Sequence, residues 1–349
     1  MLCSMTTIIH TCVLNIVKNK LFPGLPNHMG RRTPSRWTWE INLGRHVGNV
    51  GVLTLTRLVV VWICALCIAM FHGRNIMKHL NFVHMFGSPA DIPEFGFIMT
   101  RCVRSPTHNE LWRENYRCLR RHFPTAPIVI IDDYSDLTQV DQNFRMTNAA
   151  VIYSELPPGK GEILPYYYFY HRRPFYKAVI LNDAMLLQRR EPLWSAIQST
   201  SDFRYLWYFD DFRDNELEEQ LYLISALKAK HQDRLRDLHT RAGLWTGCFS
   251  SASIMTWDFV SHLHHTYGLL DMVPAIEGRK DRMGLERVMG LLTADAADRD
   301  LTQSPDRWSV FGSILKHRKT GSYHWQDYVH DKAHGDIAEP MVKIWNGRR

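Results

Sequence analysis

Residues 128–133 read IVIIDD, a run of four β-branched residues that ends in two aspartates. A continuous apolar run, in contrast to an alternating one, is typical of a strand that is buried on both faces of a parallel sheet. Because ligands bind at the carboxyl ends of the strands in open α/β sheets, the two aspartates also indicate where a binding site is expected.

Similar apolar runs lie on either side, with helical patterns between them. Trp112, Tyr116, Leu119 and Phe123 are spaced as one face of a helix, and residues 162–170 are a second helix candidate. The other strand candidates are 95–103 (FGFIMTRCV), 149–153 (AAVIY) and 178–181 (AVIL). This order predicts an α/β fold, with a mostly parallel central sheet flanked by helices.

The second half of the chain is less regular. Residues 206–209 (LWYF) are a further strand candidate, and the leucine spacing from residue 217 predicts a helix that a charged stretch extends to about residue 239. Residues 244–255 are typical of a strand and a turn, and residues 281–292 of a helix.

Carboxylates follow three of the predicted strands. Asp132 and Asp133 follow the strand at residues 128–131. Asp183 follows the strand at 178–181, after Asn182, and Asp210 and Asp211 follow the strand at 206–209. Adjacent residues on an extended strand point to opposite sides, so one member of each pair can face a ligand while its neighbour forms the turn. A turn without any ligand is the alternative for each pair taken alone.

The order of these elements resembles the nucleotide-binding half of the GT-A-type glycosyltransferases, a Rossmann-like fold. Residues 131–135 (IDDYS) are similar to the family segment in which an acidic residue contacts the nucleoside. The resemblance implies that Thr100 and Arg101, with Asp132 or Asp133, bind the nucleotide. It covers roughly residues 95–330.

The same resemblance places residues 178–183 (AVILND) where the family carries a DxD motif, whose carboxylates hold Mn²⁺ or Mg²⁺ against the diphosphate. Here Asn182 and Asp183 are present, but Met185 stands where a second acid is expected. A weakened metal site is therefore expected, with Asp210, Asp211, His324 or His330 as alternative ligand sources. A metal-independent enzyme, in which Arg or Lys neutralises the diphosphate, is the other interpretation.

Residues 245–249 (WTGCF) resemble an acceptor-side turn of related proteins, which implies a sugar platform at Trp245 and a close backbone approach at Gly247. A packed core tryptophan is the alternative. Glu286 resembles the acid that deprotonates the acceptor, with Asp210 or Asp211 as rival bases. A surface ion pair between Glu286 and Arg287 is the alternative there.

The first ninety residues differ from the rest. Residues 1–50 lack a clear period, and residues 51–71 (GVLTLTRLVVVWICALCIAMF) have about the length that spans a bilayer. The excess of Lys and Arg upstream predicts a single-pass type II anchor, with the domain in a Golgi- or ER-like lumen. A chain started near Met77 would be soluble. The predicted organisation is a tail (1–50), an anchor (51–71), a linker (72–92), the domain (93–335) and a second tail (336–349).

The amino-acid composition of the chain indicates to which functional classes of protein it can belong. The chain is 45% hydrophobic and 22% charged, as in ordinary globular proteins. Its net charge of +7 suits an anionic ligand, but the basic residues are scattered, so no nucleic-acid partner is expected. The Cys64–Cys67 pair lies in the apolar run without a second pair, which favours inert thiols. GxGxxG, P-loop, HExxH and GxSxG motifs are absent from the sequence.

These observations predict a glycosyltransferase that moves a sugar from a nucleotide-diphosphate donor, with a UDP-sugar favoured, to a hydroxyl of a glycan, protein or lipid. Two alternatives remain open. One is a catalytically degenerate relative that keeps the fold, and the other is a membrane-anchored interaction protein without a nucleotide site.

Overall fold

The computed structural model describes residues 92–210, 216–241, 243–297, 308–317 and 321–345. These residues form ten strands and eight α-helices. The strands are β1 (Phe95–Arg101), β2 (Ile128–Asp132), β3 (Ala149–Tyr153), β4 (Lys177–Asn182), β5 (Met185–Leu187), β6 (Phe203–Tyr205), β7 (Tyr208–Phe209), β8 (Gly247–Cys248), β9 (Ser253–Thr256) and β10 (Met341–Lys343). The helices are α1 (Pro106–His122), α2 (Leu164–Arg172), α3 (Leu193–Ser199), α4 (Leu217–Ala226), α5 (Ala229–Thr240), α6 (Trp257–Tyr267), α7 (Arg279–Ala297) and α8 (Trp325–His334).

A six-stranded sheet in the order β3-β2-β1-β4-β9-β6 is the centre of the fold. The four strands β3, β2, β1 and β4 run parallel, whereas β9 is antiparallel to both β4 and β6. Two further pairs, β5 with β10 and β7 with β8, form separate two-stranded sheets. The prediction of an α/β fold with a mostly parallel central sheet is therefore confirmed.

The continuous apolar runs are explained by burial of both sheet faces. Ile98, Val129 and Ile180 belong to one hydrophobic layer, to which α2, α6 and α7 contribute. Their strand neighbours Met99 and Ile130 belong to the opposite layer, with side chains of α1 and α8. Because successive strand residues point to opposite faces, the first four positions of β2, residues 128–131, must be apolar to fill both layers.

Helix α1 shows how local sequence sets an element's start. The Ser105 side chain accepts a hydrogen bond from the His108 backbone N–H, and Pro106 occupies the first turn, where a missing N–H costs nothing. Trp112, Tyr116 and Leu119 of this helix are buried, so the predicted apolar face is confirmed.

Three predictions about the second half need correction. Only Tyr208 and Phe209 of the predicted strand 206–209 are extended, and they pair with β8 outside the central sheet. The helix from residue 217 stops at Ala226, and α5 begins separately at Ala229. The predicted tail 336–349 contains β10, which pairs with β5; a three-residue strand is too short to show a period in the sequence.

The predicted tail, anchor and linker at residues 1–91 lie outside the described residues, as does the end of the chain after residue 345. Among the residues that are described, no helix combines the length and the apolar character that a membrane crossing requires.

Candidate functional site

A cavity of about 350 Å³ lies at the carboxyl ends of β1 and β4. The chain leaves β1 toward β2 on one side and later returns to place β4 on the other side, with Thr100 of β1 paired to Asn182 of β4. This is the topological switch point at which open α/β sheets bind ligands. The lining includes Thr100, Asp133, Asn182, Asp183, Arg279, Arg282, Glu286, Lys343 and Trp345.

The end of β4 is held by a dense set of hydrogen bonds. The Asp183 carboxylate accepts a 3.4 Å bond from the Cys102 backbone N–H, and the Asp183 N–H donates to the Thr100 carbonyl at 3.0 Å. Asn182 donates from Nδ2 to the Ser250 hydroxyl oxygen at 2.8 Å. Asn182 and Asp183 therefore both line the cavity, and the Asn182–Ser250 bond joins β4 to the loop before β9.

A lysine from the end of the chain completes this side of the cavity. Lys343 on β10 is paired with Met185 on β5, and its Nζ donates to Oδ1 of Asn182 at 3.0 Å. Only 9% of Lys343 is exposed, and its ammonium lies 6.0 Å from the centre of the Phe249 ring. An ammonium thus adjoins the position at which the family motif would carry its second acid.

The residues at this motif do not fit a divalent ion. Met185 is fully buried in the hydrophobic core and does not line the cavity. Mn²⁺ and Mg²⁺ prefer several oxygen ligands. Within the described ranges, no group of three or more His, Cys, Asp or Glu side chains is placed to hold a metal.

Asp133 is the acidic residue of the β2 end that reaches the cavity. Its two carboxylate oxygens accept hydrogen bonds from the N–H groups of Gly159 (3.2 Å) and Gly161 (3.0 Å). Burial raises the pKa of Asp133, while these two bonds lower it in part. Gly161 has a φ of +46°, and a Cβ there would lie 2.5 Å from Nη1 of Arg282, so a glycine suits this turn.

Arg101 and Asp132 form a buried ion pair and are not part of the cavity lining. Nε of Arg101 lies 2.6 Å from Oδ2 of Asp132, and the guanidinium stacks over Trp112 at 4.7 Å. The other oxygen of Asp132 accepts the Ser135 N–H at 2.9 Å. Of the predicted nucleotide residues, Thr100 and Asp133 face the cavity, whereas Arg101 and Asp132 bind each other.

Glu286 on α7 is the most strongly perturbed acid of the cavity. Burial, and then the nearby negative charge of Glu162, raise its pKa from 4.5 to about 8. Arg287, the Ser250 backbone N–H and Lys343 act in the opposite direction. Glu286 and Arg287 are 3.8 Å apart with side chains only 14% and 4% exposed, so the pair is not a solvated surface contact.

The Ser250 backbone is turned toward Glu286 by an unusual conformation. Ser250 and Ser251 have φ values of +56° and +48°, which side chains other than glycine rarely adopt. Strained backbone of this kind concentrates at functional sites. Here it lets one residue bond both Asn182 through its hydroxyl and Glu286 through its N–H.

The predicted acceptor-side residues, Trp245 and Gly247, lie in the core. Trp245 is 5% exposed and stacks against His239, with ring centres 5.7 Å apart. A Cβ at Gly247 would lie 2.1 Å from the Phe209 ring, so this glycine accommodates a side chain and not a ligand. Trp245 therefore packs in the core and does not line the cavity, as the core alternative expects.

Asp210, one of the two rival bases, is not part of this cavity. Asp210 is exposed after β7 and does not line it, and Asp211 lies outside the described residues. The reason is topological: β7 belongs to a small separate sheet, so its carboxyl end does not share the edge formed by β1, β2 and β4.

The lining residues that were not predicted from the sequence include Arg279, Arg282, Lys343 and Trp345. Trp345 is half-buried beside Phe249, with ring centres 5.4 Å apart, and its buried Nε1 has no hydrogen-bond partner among the described residues. The two arginines precede Glu286 on the same helix by seven and four residues, a helical spacing that could have identified Arg282 as a neighbour of Glu286. No local signal points to Lys343 or Trp345.

No protein-family model matches the sequence, and no curated protein matches it. Solved structures of glycosyltransferases do show similarity. Core-mannan synthase A from Aspergillus fumigatus, in its Mn/GDP form, is 12% identical over 62% of this chain and 71% of that chain, with a TM-score of 0.33. The mannosyltransferase Ktr4p from S. cerevisiae, in complex with GDP, is 11% identical over 64% and 69%, with a TM-score of 0.33. The galactosyltransferase LgtC, in complex with donor and acceptor sugar analogues, is 9% identical over 72% and 88%, also with a TM-score of 0.33. What this chain can bind is decided by the residues of its own cavity.

Proposed function

We propose that this protein is a glycosyltransferase that moves a sugar from a nucleoside-diphosphate donor to a hydroxyl acceptor. The observation that carries the proposal is the position of Glu286 in one cavity with Arg279, Arg282 and Lys343, at the switch point of the sheet. A buried acid beside clustered cations suits a reaction in which a hydroxyl loses a proton and a diphosphate leaves.

The basic side chains of the cavity are the proposed binding groups for the diphosphate of the donor. Two arginines and a lysine offer the charge and the hydrogen-bond donors that a diphosphate needs, and arginine matches phosphate oxygens in a bidentate manner. Thr100 and Asp133, at the ends of β1 and β2, line the same cavity, and we assign to them the contact with the nucleoside. The cavity volume of about 350 Å³ is within the range of small-molecule sites.

Glu286 is the proposed base that removes the hydroxyl proton of the acceptor. In its ionised form it accepts the acceptor's hydroxyl proton while the hydroxyl oxygen bonds to the anomeric carbon, and the bond from that carbon to the diphosphate breaks. The raised pKa of Glu286 makes the carboxylate a stronger base than an exposed glutamate. The nucleoside diphosphate then leaves toward the cations.

The decisive experiment is a screen for donor hydrolysis and sugar transfer across UDP- and GDP-sugars, of which we favour the UDP-sugars. Glycan, protein and lipid acceptors are each tested, with and without Mn²⁺ or Mg²⁺. Wild type should release nucleoside diphosphate, and Glu286→Gln should not. Glu218→Gln, an exposed glutamate on α4, is the matched control. Equal rates in wild type and Glu286→Gln would remove Glu286 from the mechanism, and Asp183→Ala tests the end of β4 in the same assay.

A second candidate function is nucleotide binding without transfer, which Met185 at the metal motif favours. Isothermal titration with UDP and GDP separates the two. Binding without hydrolysis of any donor would support the non-catalytic function, whereas no binding of either nucleotide would support an interaction protein without a nucleotide site.

We also propose that residues 51–71 anchor the chain in a membrane of the secretory pathway as a single-pass type II protein. The length of this apolar run and the excess of Lys and Arg before it support the proposal. Carbonate extraction should leave the full-length chain in the pellet and release a chain started at Met77. Full-length chain in the supernatant would contradict the anchor.

A further inference from the structure

Two histidines of helix α8 stack against each other outside the cavity. His330 and His334 are one helical turn apart, and their rings lie with centres 4.3 Å apart and planes at 25°. Both residues are exposed, and neither lines the cavity. The sequence suggested His330 as a substitute ligand for the metal motif, but the structure places it with His334 instead.

The hydrogen bonds of the two rings decide which nitrogen of each ring carries the proton. Nδ1 of His334 lies 2.8 Å from the backbone carbonyl oxygen of His330, and Nδ1 of His330 lies 3.4 Å from Oδ1 of Asp331. Because both partners are acceptors, each neutral ring donates from Nδ1 and keeps its lone pair on Nε2. Histidines that bind metal ions are usually held in this way, by a carbonyl or a carboxylate on the other ring nitrogen.

The charges around the pair suit a cation. The carboxylate of Asp331 adjoins His330, and it is itself oriented by the Tyr323 hydroxyl, which donates to Oδ2 at 3.0 Å. Lys332 lies between the two histidines in the sequence, but it projects about 200° around the helix from His330. Its ammonium bonds to the Glu114 carboxylate on α1. The lysine of this helix is therefore held away from the two rings.

Two imidazole nitrogens at this spacing suit a divalent transition metal. Imidazole is a good ligand for Zn²⁺ and Ni²⁺, whereas Mg²⁺ and Mn²⁺ prefer oxygen ligands. Within the described part of the chain, no third His, Cys, Asp or Glu side chain is placed to complete a closed set. The remaining coordination positions are therefore open to water.

We propose that His330 and His334 form a two-histidine site that binds Zn²⁺ or Ni²⁺ through their Nε2 atoms. The bound ion joins two successive turns of α8, the helix that precedes β10 and the cavity-lining Trp345. Because the ion binds the folded helix, it should stabilise the chain. The site is independent of the proposed transferase activity.

Isothermal titration of the full-length chain with Zn²⁺, Ni²⁺ and Mg²⁺ tests the site, with thermal unfolding in parallel. The chain has 18 histidines and 7 cysteines, so the comparison of variants identifies the site. His330→Gln and His334→Gln should each weaken binding of one Zn²⁺ or Ni²⁺ ion by about tenfold or more, and the double variant should lose no further ion. His262→Gln, which changes an exposed histidine on α6, should bind as wild type does.

The controls separate a loss of metal binding from a loss of folding. In EDTA the two single variants should unfold at the wild-type Tm, because both side chains are exposed. Zn²⁺ should raise the Tm of wild type more than that of either variant, and Mg²⁺ should raise none of them. Unchanged metal binding in the double variant would overturn the proposal. A loss of less than about twofold in each single variant would also overturn it, since independent surface histidines behave in that way.

Discussion

Nε of Arg101 lies 2.6 Å from Oδ2 of Asp132, and both side chains are 2% exposed. The two residues are partners in the parallel pairing of β1 with β2, so the ion pair closes the carboxyl end of the first βαβ unit. The next residue, Asp133, is directed into the Gly159–Gly161 turn at the cavity. Of the two aspartates at the end of the apolar run of β2, Asp132 stabilises the fold through the ion pair, and Asp133 lines the cavity.

Arg101→Met should destabilise the protein without a specific effect on ligand binding. The substitution leaves Asp132 buried without its cation, a loss of about 3–5 kcal/mol in the free energy of unfolding. Urea denaturation measures it, with the exposed Arg104→Met as the control. A weaker nucleotide Kd at unchanged stability would instead indicate that Arg101 contacts the ligand, as the family resemblance implies.

Glu286→Gln should reduce the transfer rate by about 10²- to 10⁴-fold, the usual contribution of a general base. The wild-type rate should rise with pH and level off above about pH 8, because only the ionised carboxylate accepts a proton and its pKa is about 8. Steady-state kinetics across this range measure both effects. A wild-type rate that falls with rising pH would indicate an acid role for Glu286.

The same carboxyl should make stability depend on pH. Since its pKa is raised from 4.5 to about 8 on folding, the folded chain holds the proton more tightly than the unfolded chain does. Its stabilising contribution is fully present below about pH 4.5 and is lost as the pH rises through about 8. Glu286→Gln is neutral throughout, so its stability relative to wild type should increase by about 2–4 kcal/mol between about pH 5 and about pH 9. Urea denaturation at both ends of the range checks this, and Glu218→Gln should show no such trend.

The two tryptophans should respond in opposite ways. Trp245→Ala removes a core side chain and should cost about 3–5 kcal/mol of stability. Trp345→Ala should leave stability nearly unchanged but weaken nucleotide or donor binding about 3- to 10-fold, through the lost aromatic surface and the lost Nε1 donor. Denaturation and isothermal titration on both variants measure the contrast. Weaker binding in a stable Trp245→Ala variant would restore its predicted role as a sugar platform.

Gly247→Ala should destabilise the protein by about 1–3 kcal/mol, because the added Cβ would lie 2.1 Å from the Phe209 ring. Gly278→Ala is the matched control, since its Cβ would approach nothing closer than 4.0 Å. Thermal unfolding measures the difference. Loss of acceptor transfer at wild-type stability would instead show that a ligand approaches Gly247.

The parts of the site that the sequence predicted are those next to long apolar strands. Asp133, Asn182 and Asp183 follow β2 and β4, and the structure brings all three to one cavity. Asp210 was also predicted for the site, but it does not line the cavity, because the two-residue strand β7 pairs with β8 in a separate sheet. Glu286 was predicted from resemblance alone, and the structure adds the burial and the neighbouring Glu162 that perturb its pKa.

The positions of the strands in residues 95–183 can be predicted from the sequence. A strand that is buried on both faces needs uninterrupted apolar residues, and a polar residue follows where the strand leaves the sheet. The cationic side of the cavity has no such local cause. Lys343 reaches Asn182 across 161 positions, through a three-residue strand whose pairing depends on the completed fold. The same holds for Ser250, whose contacts to Asn182 and Glu286 need a positive φ that surrounding packing must impose. Apolar patterning thus decides where the strands end, whereas long-range packing decides which charges meet there.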